Sequence, residues 1–148
     1  MRDARFWGLL ALRGYLAFVF LQAAIGHLGV PFDTLARTWT PTGAFAPLGA
    51  SVSHDPTLFV GAVVALELAL AVSMIVGVLT RLAGLGGLLL NAFFFAAFEW
   101  ADRGQVYLSG DASLAVLWLL VLLTAPGQYL GLGRFLVDRY PRIAPWIV

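Results

Sequence analysis

The sequence predicts an all-α integral membrane protein, a bundle of four transmembrane helices that forms one domain over residues 1–148. The first observation is composition, since 61% of the residues are hydrophobic and 11% are charged, whereas soluble domains average about 25% charged residues. The second is the set of four apolar stretches, at about 6–28, 58–79, 82–100 and 107–125. Each has close to the roughly 20 helical residues that cross a hydrocarbon core. A water-soluble fold would leave too much of this apolar surface in water.

The boundaries of the four stretches follow from local sequence. Arg2 and Arg5 precede the first, as in a signal peptide, but its 23 residues exceed a signal core of roughly 7–15, which favours a retained helix. Only Thr80 and Arg81 separate the second and third stretches, which predicts a tight antiparallel hairpin. The fourth ends before Pro126, because proline lacks the amide donor that a continuing helix needs.

The arginines predict the orientation of the bundle. Cytoplasmic segments of membrane proteins carry an excess of Lys and Arg. With both termini inside the cell, seven arginines lie on the cytoplasmic half: Arg2, Arg5, Arg13, Arg81, Arg134, Arg139 and Arg142. Only Arg37 and Arg103 then lie outside. We therefore expect an N-in, C-in protein that crosses the cytoplasmic membrane four times.

Two segments outside the spans have the pattern of interfacial structure. In the long outer connection, Phe32, Leu35, Ala36 and Trp39 follow helical spacing, which predicts a short helix with its tryptophan at headgroup depth. This connection either caps the bundle as a loop or forms a lid over a ligand cavity. The tail over residues 127–148 mixes arginines with aromatic residues, which predicts a cytoplasmic tail held at the membrane surface by anionic lipid.

Three polar residues fall at membrane depth, where ionisable groups are costly and mark function. They are Arg13 in the first span, Glu67 in the second and Asn91 in the third. Helical rise puts them about 10, 18 and 13 Å from the cytoplasmic boundary, so we expect an Arg13–Glu67 pair with Asn91 nearby. Such a pair either fixes helix register or serves ligand binding and proton handling, and the sequence leaves both open.

Further polar residues gather at the outer ends of the helices: Gln22, His27, His54, Glu99, Asp102, Tyr107 and Asp111. The two histidines lie at helix ends beside the long connection, a poor frame for a bis-histidine haem. We expect His27 to donate to a headgroup, a carboxylate or a quinone carbonyl, and Asp111 to open the fourth helix in its first turn. The absence of cysteine excludes thiol chemistry and cysteine-ligated clusters, and no metal site is expected. A net charge of +1 suggests no nucleic-acid partner.

Several short motifs resemble those of the DoxX/DoxD family of four-helix membrane proteins. They are Arg13-Gly14-Tyr15, Gly26-His27-Leu28, Glu67, the segment from Gly77 through Arg81 to Gly84, and the segment from Gly127 to Gly133. The resemblance covers most of the chain. It implies a bundle associated with membrane redox chemistry, and its DoxD branch implies a subunit of thiosulfate:quinone oxidoreductase. The family often has lysine where His27 stands.

The residues and the resemblance together predict a membrane subunit of a redox system, one that interacts with quinone and is linked to thiosulfate oxidation. The candidate cavity residues are Arg13, Gln22, His27, Glu67, Asn91 and Asp111. Five acidic residues against two arginines on the outer side repel a dianion such as thiosulfate, so any oxidoreductase activity would need a partner chain. The alternative is a non-catalytic anchor or accessory subunit of a respiratory complex. A small transporter is disfavoured because the chain shows no inverted repeat.

Overall fold

The computed structural model describes residues 4–41, 45–99, 110–128 and 131–141, and these ranges are almost entirely helical. The α-helices are α1 (Ala4–Leu28), α2 (Phe32–Thr38), α3 (Ala46–His54), α4 (Pro56–Val76), α5 (Thr80–Phe94), α6 (Gly110–Thr124) and α7 (Leu132–Arg139). A π-helical turn, Phe95–Glu99, continues α5, and a 3₁₀ turn, Pro126–Gln128, follows α6. The all-α prediction is confirmed.

Within the described ranges, three helices are long and apolar enough to cross a membrane, namely Ala4–Leu28, Pro56–Val76 and Thr80–Phe98. The fourth predicted span is represented by α6, an apolar helix of 15 residues. At 1.5 Å per residue α6 measures about 22 Å, less than a hydrocarbon core of about 30 Å. The predicted start of that span at residue 107, like Asp102 and Arg103, lies outside the described residues. The chain is thus a multi-pass membrane protein, and its N-in, C-in orientation stays a prediction.

The predicted hairpin between the second and third spans is present, but its connection is residues 77–79, whereas the predicted connection, Thr80 and Arg81, forms the start of α5. Gly77 ends α4 with a φ of 76°, and Leu79 precedes α5 with a φ of 58°. Glycine adopts this left-handed backbone at no steric cost, which allows so short a reversal. We call this end of the bundle the hairpin end and the opposite end, where α1 leads to α2, the α2 end.

The bundle is built from two close helix pairs, α1 with α4 and α5 with α6, joined through α4 and α5. The α5–α6 pair depends on two glycines of α5. Gly84 lies against the backbone of Leu122, and Gly87 lies directly under the ring of Trp118. Small residues at such positions let helix backbones approach closely in membranes. Phe20 of α1 packs edge-on against Trp118 at a ring-centre distance of 5.1 Å, which brings α1 into the same core.

The outer connection forms two short helices instead of the single predicted one. The expected interfacial helix is α2, which packs on α4. The second of these helices, α3, contains Pro47 and Gly49. Pro47 occupies the first turn, where a helix has no intrahelical acceptor for its amide, so proline is tolerated there. Beyond α6, α7 buries Gly133 against the bundle and exposes Leu132 and Phe135.

Candidate functional site

A cavity of about 250 Å³ lies towards the α2 end of the bundle. Its wall combines apolar side chains with four polar ones, and it draws on α1, α4, α5 and α6 as well as on the residue that follows α2. The lining residues are Val19, Phe20, Ala23, His27, Trp39, Glu67, Leu90, Asn91, Phe94, Asp111 and Leu114. Four of the six candidate residues from the sequence therefore meet in one place.

The carboxylate of Glu67, on α4, and the imidazole of His27, on α1, form a pair in the cavity wall. The Nδ1 atom of His27 lies 2.8 Å from Oε2 of Glu67. Glu67 is buried, whereas the His27 side chain keeps about a quarter of its surface accessible. A carboxylate at Nδ1 holds the imidazole in the tautomer that carries its proton there. The Nε2 atom is then the ring nitrogen that remains for a ligand.

Arg13 does not pair with Glu67, which corrects the expectation from the sequence. Its guanidinium donates from Nε and Nη2 to the carbonyl oxygen of Met74, at 3.0 and 2.7 Å, and from Nη2 to that of Ile75 at 3.3 Å. Both carbonyls belong to the last turn of α4, where a helix has no amide donors of its own left. Arg13 thus caps the C-terminus of α4, where a cation also suits the helix dipole, and it does not line the cavity.

Asn91 lies at the base of the cavity and is almost completely buried. Its Nδ2 donates to the carbonyl of Gly87 in the preceding turn, at 2.9 Å. This bond fixes the orientation of the amide and uses one of its two N–H groups. The side-chain oxygen is the acceptor that Asn91 can offer to a ligand, and its second N–H is a further donor.

Aromatic rings form the part of the wall nearest the α2 end. Trp39 packs edge-on against both His27 and Phe94, with ring centres 4.8 and 5.3 Å apart. Phe94 also contacts its neighbour Phe93 in α5 and Phe98 in the π-helical turn that continues α5. Trp39 therefore closes the cavity from the outer connection. Of the two interpretations of that connection, the lid is the one that this contact favours.

The other residues singled out from the sequence have different positions. Asp111 lines the cavity from the first turn of α6. Gln22 lies on the exposed side of α1, in a shallow groove with Phe18, Leu21 and Ile25, and is not part of the cavity. Arg81 is exposed at the hairpin end. His54 is exposed at the end of α3.

Within the described ranges, no group of three or more histidine, aspartate and glutamate side chains is placed to hold a metal ion. The cavity wall carries two carboxylates, Glu67 and Asp111, and neither lysine nor arginine among its described residues.

Comparison with protein families adds an independent observation, because the profile of the DoxX family matches residues 8–100. The chain belongs to the DoxX family. The matched region contains α1 to α5, and with them His27, Glu67, Asn91 and Trp39. Asp111 and α6 lie beyond it. No curated protein and no solved structure matches the chain.

Sequence reasoning missed the aromatic residues of this site. Trp39 was placed at headgroup depth because it closes the helical stripe of the outer connection, whereas its ring faces the cavity. Phe94 sits in an unbroken run of three phenylalanines, Phe93 to Phe95. Such a run indicates a membrane helix but not which ring turns inward. The π-helical turn that follows it has no sequence signature, although such turns are frequent at functional sites.

Proposed function

We propose that this DoxX protein is a quinone-interacting membrane subunit of a redox system and that His27 and Glu67 exchange a proton with the quinone head bound in the cavity. The observation that carries the proposal is the His27–Glu67 pair, at 2.8 Å, in the wall of a cavity within the membrane-spanning helices. Intramembrane ionisable groups that face an internal cavity are typical of ligand and proton sites.

The size of the cavity supports a ring-sized ligand. A cavity of about 150 Å³ holds benzene, so about 250 Å³ accommodates a substituted ring but not a large polar solute. Quinone heads need an apolar slot with one or two hydrogen-bonding groups at their carbonyl oxygens. The free N–H of Asn91 can donate to a quinone carbonyl oxygen. The Nε2 atom of His27 accepts from a hydroxyl of the reduced quinol while the imidazole proton lies on Nδ1, and it donates to the carbonyl once the imidazole is protonated. Phe20, Trp39 and Phe94 supply the apolar surface.

The chemistry assigned to the chain itself is limited to proton exchange and positioning. With Glu67 holding the Nδ1 proton, the Nε2 atom of His27 accepts or returns a proton at the edge of the ligand. The positive imidazolium that results lies against the Glu67 carboxylate, which stabilises it inside the membrane. Asn91, fixed by its bond to Gly87, orients the ligand through its remaining polar atoms.

The link to thiosulfate is proposed through a partner chain. The predicted outer side carries more acidic residues than arginines, which disfavours a dianion there, so thiosulfate oxidation would take place on a partner oxidoreductase that delivers electrons to the quinone. The exposed apolar residues of α7, Leu132 and Phe135, would lie among the lipids of the cytoplasmic membrane and hold that end of the bundle at its surface.

Quinone binding by the purified protein tests the proposal, with the two histidines as a matched pair. His27→Gln removes the imidazole from the cavity, whereas His54→Gln changes an exposed histidine outside it. We expect His27→Gln to weaken binding of the reduced quinol, whose hydroxyl donates to Nε2, about tenfold, the effect of one lost hydrogen bond, and His54→Gln to leave it unchanged. Wild-type protein that binds no quinone, or equal effects of the two substitutions, would refute the proposal.

The second candidate function is a non-catalytic anchor or accessory subunit of a respiratory or oxidoreductase complex. The exposed amide of Gln22 on the outer face of α1 favours a role in assembly. In that case the His27–Glu67 pair fixes the register of α1 on α4. Purification in mild detergent distinguishes the two functions, since an anchor retains a redox enzyme in fixed proportion and retains no quinone.

A further inference from the structure

The cavity at the α2 end opens on one side of the bundle. It is not enclosed on every side, and described residues close all of its boundaries but one. Trp39, packed edge-on against Phe94, closes the end that faces the outer connection. Helix α4 forms the back and contributes Glu67, and α5 packs on both α4 and α6. Phe20, packed on Trp118, closes the base. The remaining side lies between α1 and α6.

The two helices beside this opening approach each other at the hairpin end and not along the cavity. The turn that follows α6, Pro126–Gln128, packs on α1 at the hairpin end. Further along, the rings of Phe20 and Trp118 bridge the two helices. Within the described ranges, the backbones of α1 and α6 do not form a close pair, whereas α1 with α4 and α5 with α6 do. They therefore leave a cleft between them at the level of the cavity.

Apolar side chains line both sides of the cleft. Val19 and Ala23 of α1 and Leu114 of α6 line the cavity, and all three are partly exposed. The two α1 residues are four positions apart and lie on one face of the helix. Val19 lies nine residues before the end of α1, about 14 Å along the helix. This is close to the middle of a hydrocarbon core of about 30 Å, so the cleft leads from the cavity into lipid.

We propose that this cleft is a lateral portal through which a lipid-soluble quinone enters the cavity from the membrane, and that the hydrocarbon chain of the bound quinone lies between α1 and α6. The proposal rests on the proposed function. A cavity of about 250 Å³ accommodates a substituted ring but not a long chain as well, since about 150 Å³ is filled by benzene. The chain must then leave the cavity. Apolar surface in water is unfavourable, so the chain leaves towards lipid and not past Trp39 towards the outer connection.

Photoaffinity labelling of the wild-type protein in lipid nanodiscs locates the chain. The probe is a benzoquinone whose decyl chain carries a diazirine, which on illumination inserts into neighbouring residues, and peptide mass spectrometry identifies the labelled sites. We expect labelling around Val19 on α1 and Leu114 on α6, reduced at least tenfold by an excess of the unlabelled decyl benzoquinone. Labelling that the excess does not reduce would overturn the proposal. So would competed labelling confined to other surfaces, such as α2 and α3.

A matched pair of substitutions tests whether the chain uses the portal. Val19→Trp fills the cleft. Val116→Trp makes the same change on α6, at a 53% exposed valine that lies about 200° around the helix from Leu114. The measured quantity is the ratio of the affinities for the benzoquinone with and without its decyl chain.

We expect Val19→Trp to lower this ratio at least tenfold and Val116→Trp to leave it at the wild-type value. Equal ratios in the two variants would overturn the portal while leaving the quinone site intact. Wild-type protein that binds neither quinone would instead refute the proposed function, and the portal with it.

Discussion

The close contact between Gly84 and α6 allows a quantitative test of the fold. A Cβ at this position would lie 2.8 Å from the backbone nitrogen of Leu122 and 2.9 Å from its Cα. Ordinary van der Waals contact begins near 3.4 Å, so Gly84→Ala must separate α5 and α6 by about 0.6 Å, the difference between those distances. A gap of that size removes roughly a quarter to a half of the dispersion energy at each neighbouring contact.

The expected cost of Gly84→Ala is the balance of two effects. Overpacking a well-packed helix contact costs about 1–3 kcal/mol, and replacing a glycine inside a helix by alanine returns about 0.5–1 kcal/mol. From the midpoints of the two ranges, the free energy of unfolding should fall by about 1 kcal/mol. Gly86→Ala is the matched control, because the nearest atom to its Cβ is a flexible leucine methyl carbon at 3.7 Å, and this variant should be neutral or slightly stabilised.

Reversible unfolding in mixed detergent micelles, followed by circular dichroism during titration with a denaturing detergent, measures both variants. A wild-type midpoint for Gly84→Ala, or an equal loss of stability for Gly86→Ala, would refute the packing of α5 on α6 through Gly84.

The same titration checks three further expectations. Arg13→Met leaves the carbonyls of Met74 and Ile75 without the guanidinium and should lower the free energy of unfolding by about 3 kcal/mol. Arg13→Lys should recover part of this loss. Full stability of the Arg13→Met protein would contradict the capping role. Gly77→Ala forces a side chain onto a φ of 76° and should cost about 1 kcal/mol, unless the hairpin relaxes. Asp55→Ala removes the N-cap bond to the Leu58 amide and should also cost about 1 kcal/mol, while the exposed Asp33→Ala should change nothing.

Much of the fold could be predicted because a bilayer restricts the possibilities. A spanning segment must satisfy its own backbone hydrogen bonds, so a long apolar stretch indicates a helix with little ambiguity. The bounds of α1 and α4 lie within two residues of the predicted 6–28 and within three of the predicted 58–79. The outer connection was harder, since α3 is short and contains Pro47. Packing on neighbouring helices, which sequence alone does not show, decides whether so short a helix forms.

The sequence does not show which face of each helix is buried, and this limited the prediction of contacts between helices. The small residues of α4 recur every four positions, yet Ala65 and Ala69 are exposed, and Val64 and Ala71 are buried. On a helix that is apolar on every side, periodicity does not identify the buried face. On α5, by contrast, Gly84 and Gly87 do face their partner helix.

The failure of the expected Arg13–Glu67 pair has a geometric cause that concerns every antiparallel helix pair. Side chains in an α-helix lean towards the N-terminus of their own helix. Because α1 and α4 run in opposite directions, Arg13 leans towards the hairpin end and Glu67 towards the α2 end, so the two side chains diverge. His27 leans back from the α2 end and converges on Glu67. Each therefore finds a partner that depth alone would not predict.

Because of this lean, Arg13 and His27 contact different parts of α4: Arg13 contacts its C-terminal turn, and His27 contacts Glu67. Met74 follows Glu67 by two turns of α4, about 10 Å along the axis, so the Arg13 contact with its carbonyl leaves Glu67 to His27. A cation placed directly on Glu67 would hold the carboxylate as a fixed ion pair. The imidazole instead has a second nitrogen and a proton that can be exchanged. The contact of Arg13 with the end of α4 thus leaves Glu67 available, through His27, for the proton exchange that we propose in the cavity.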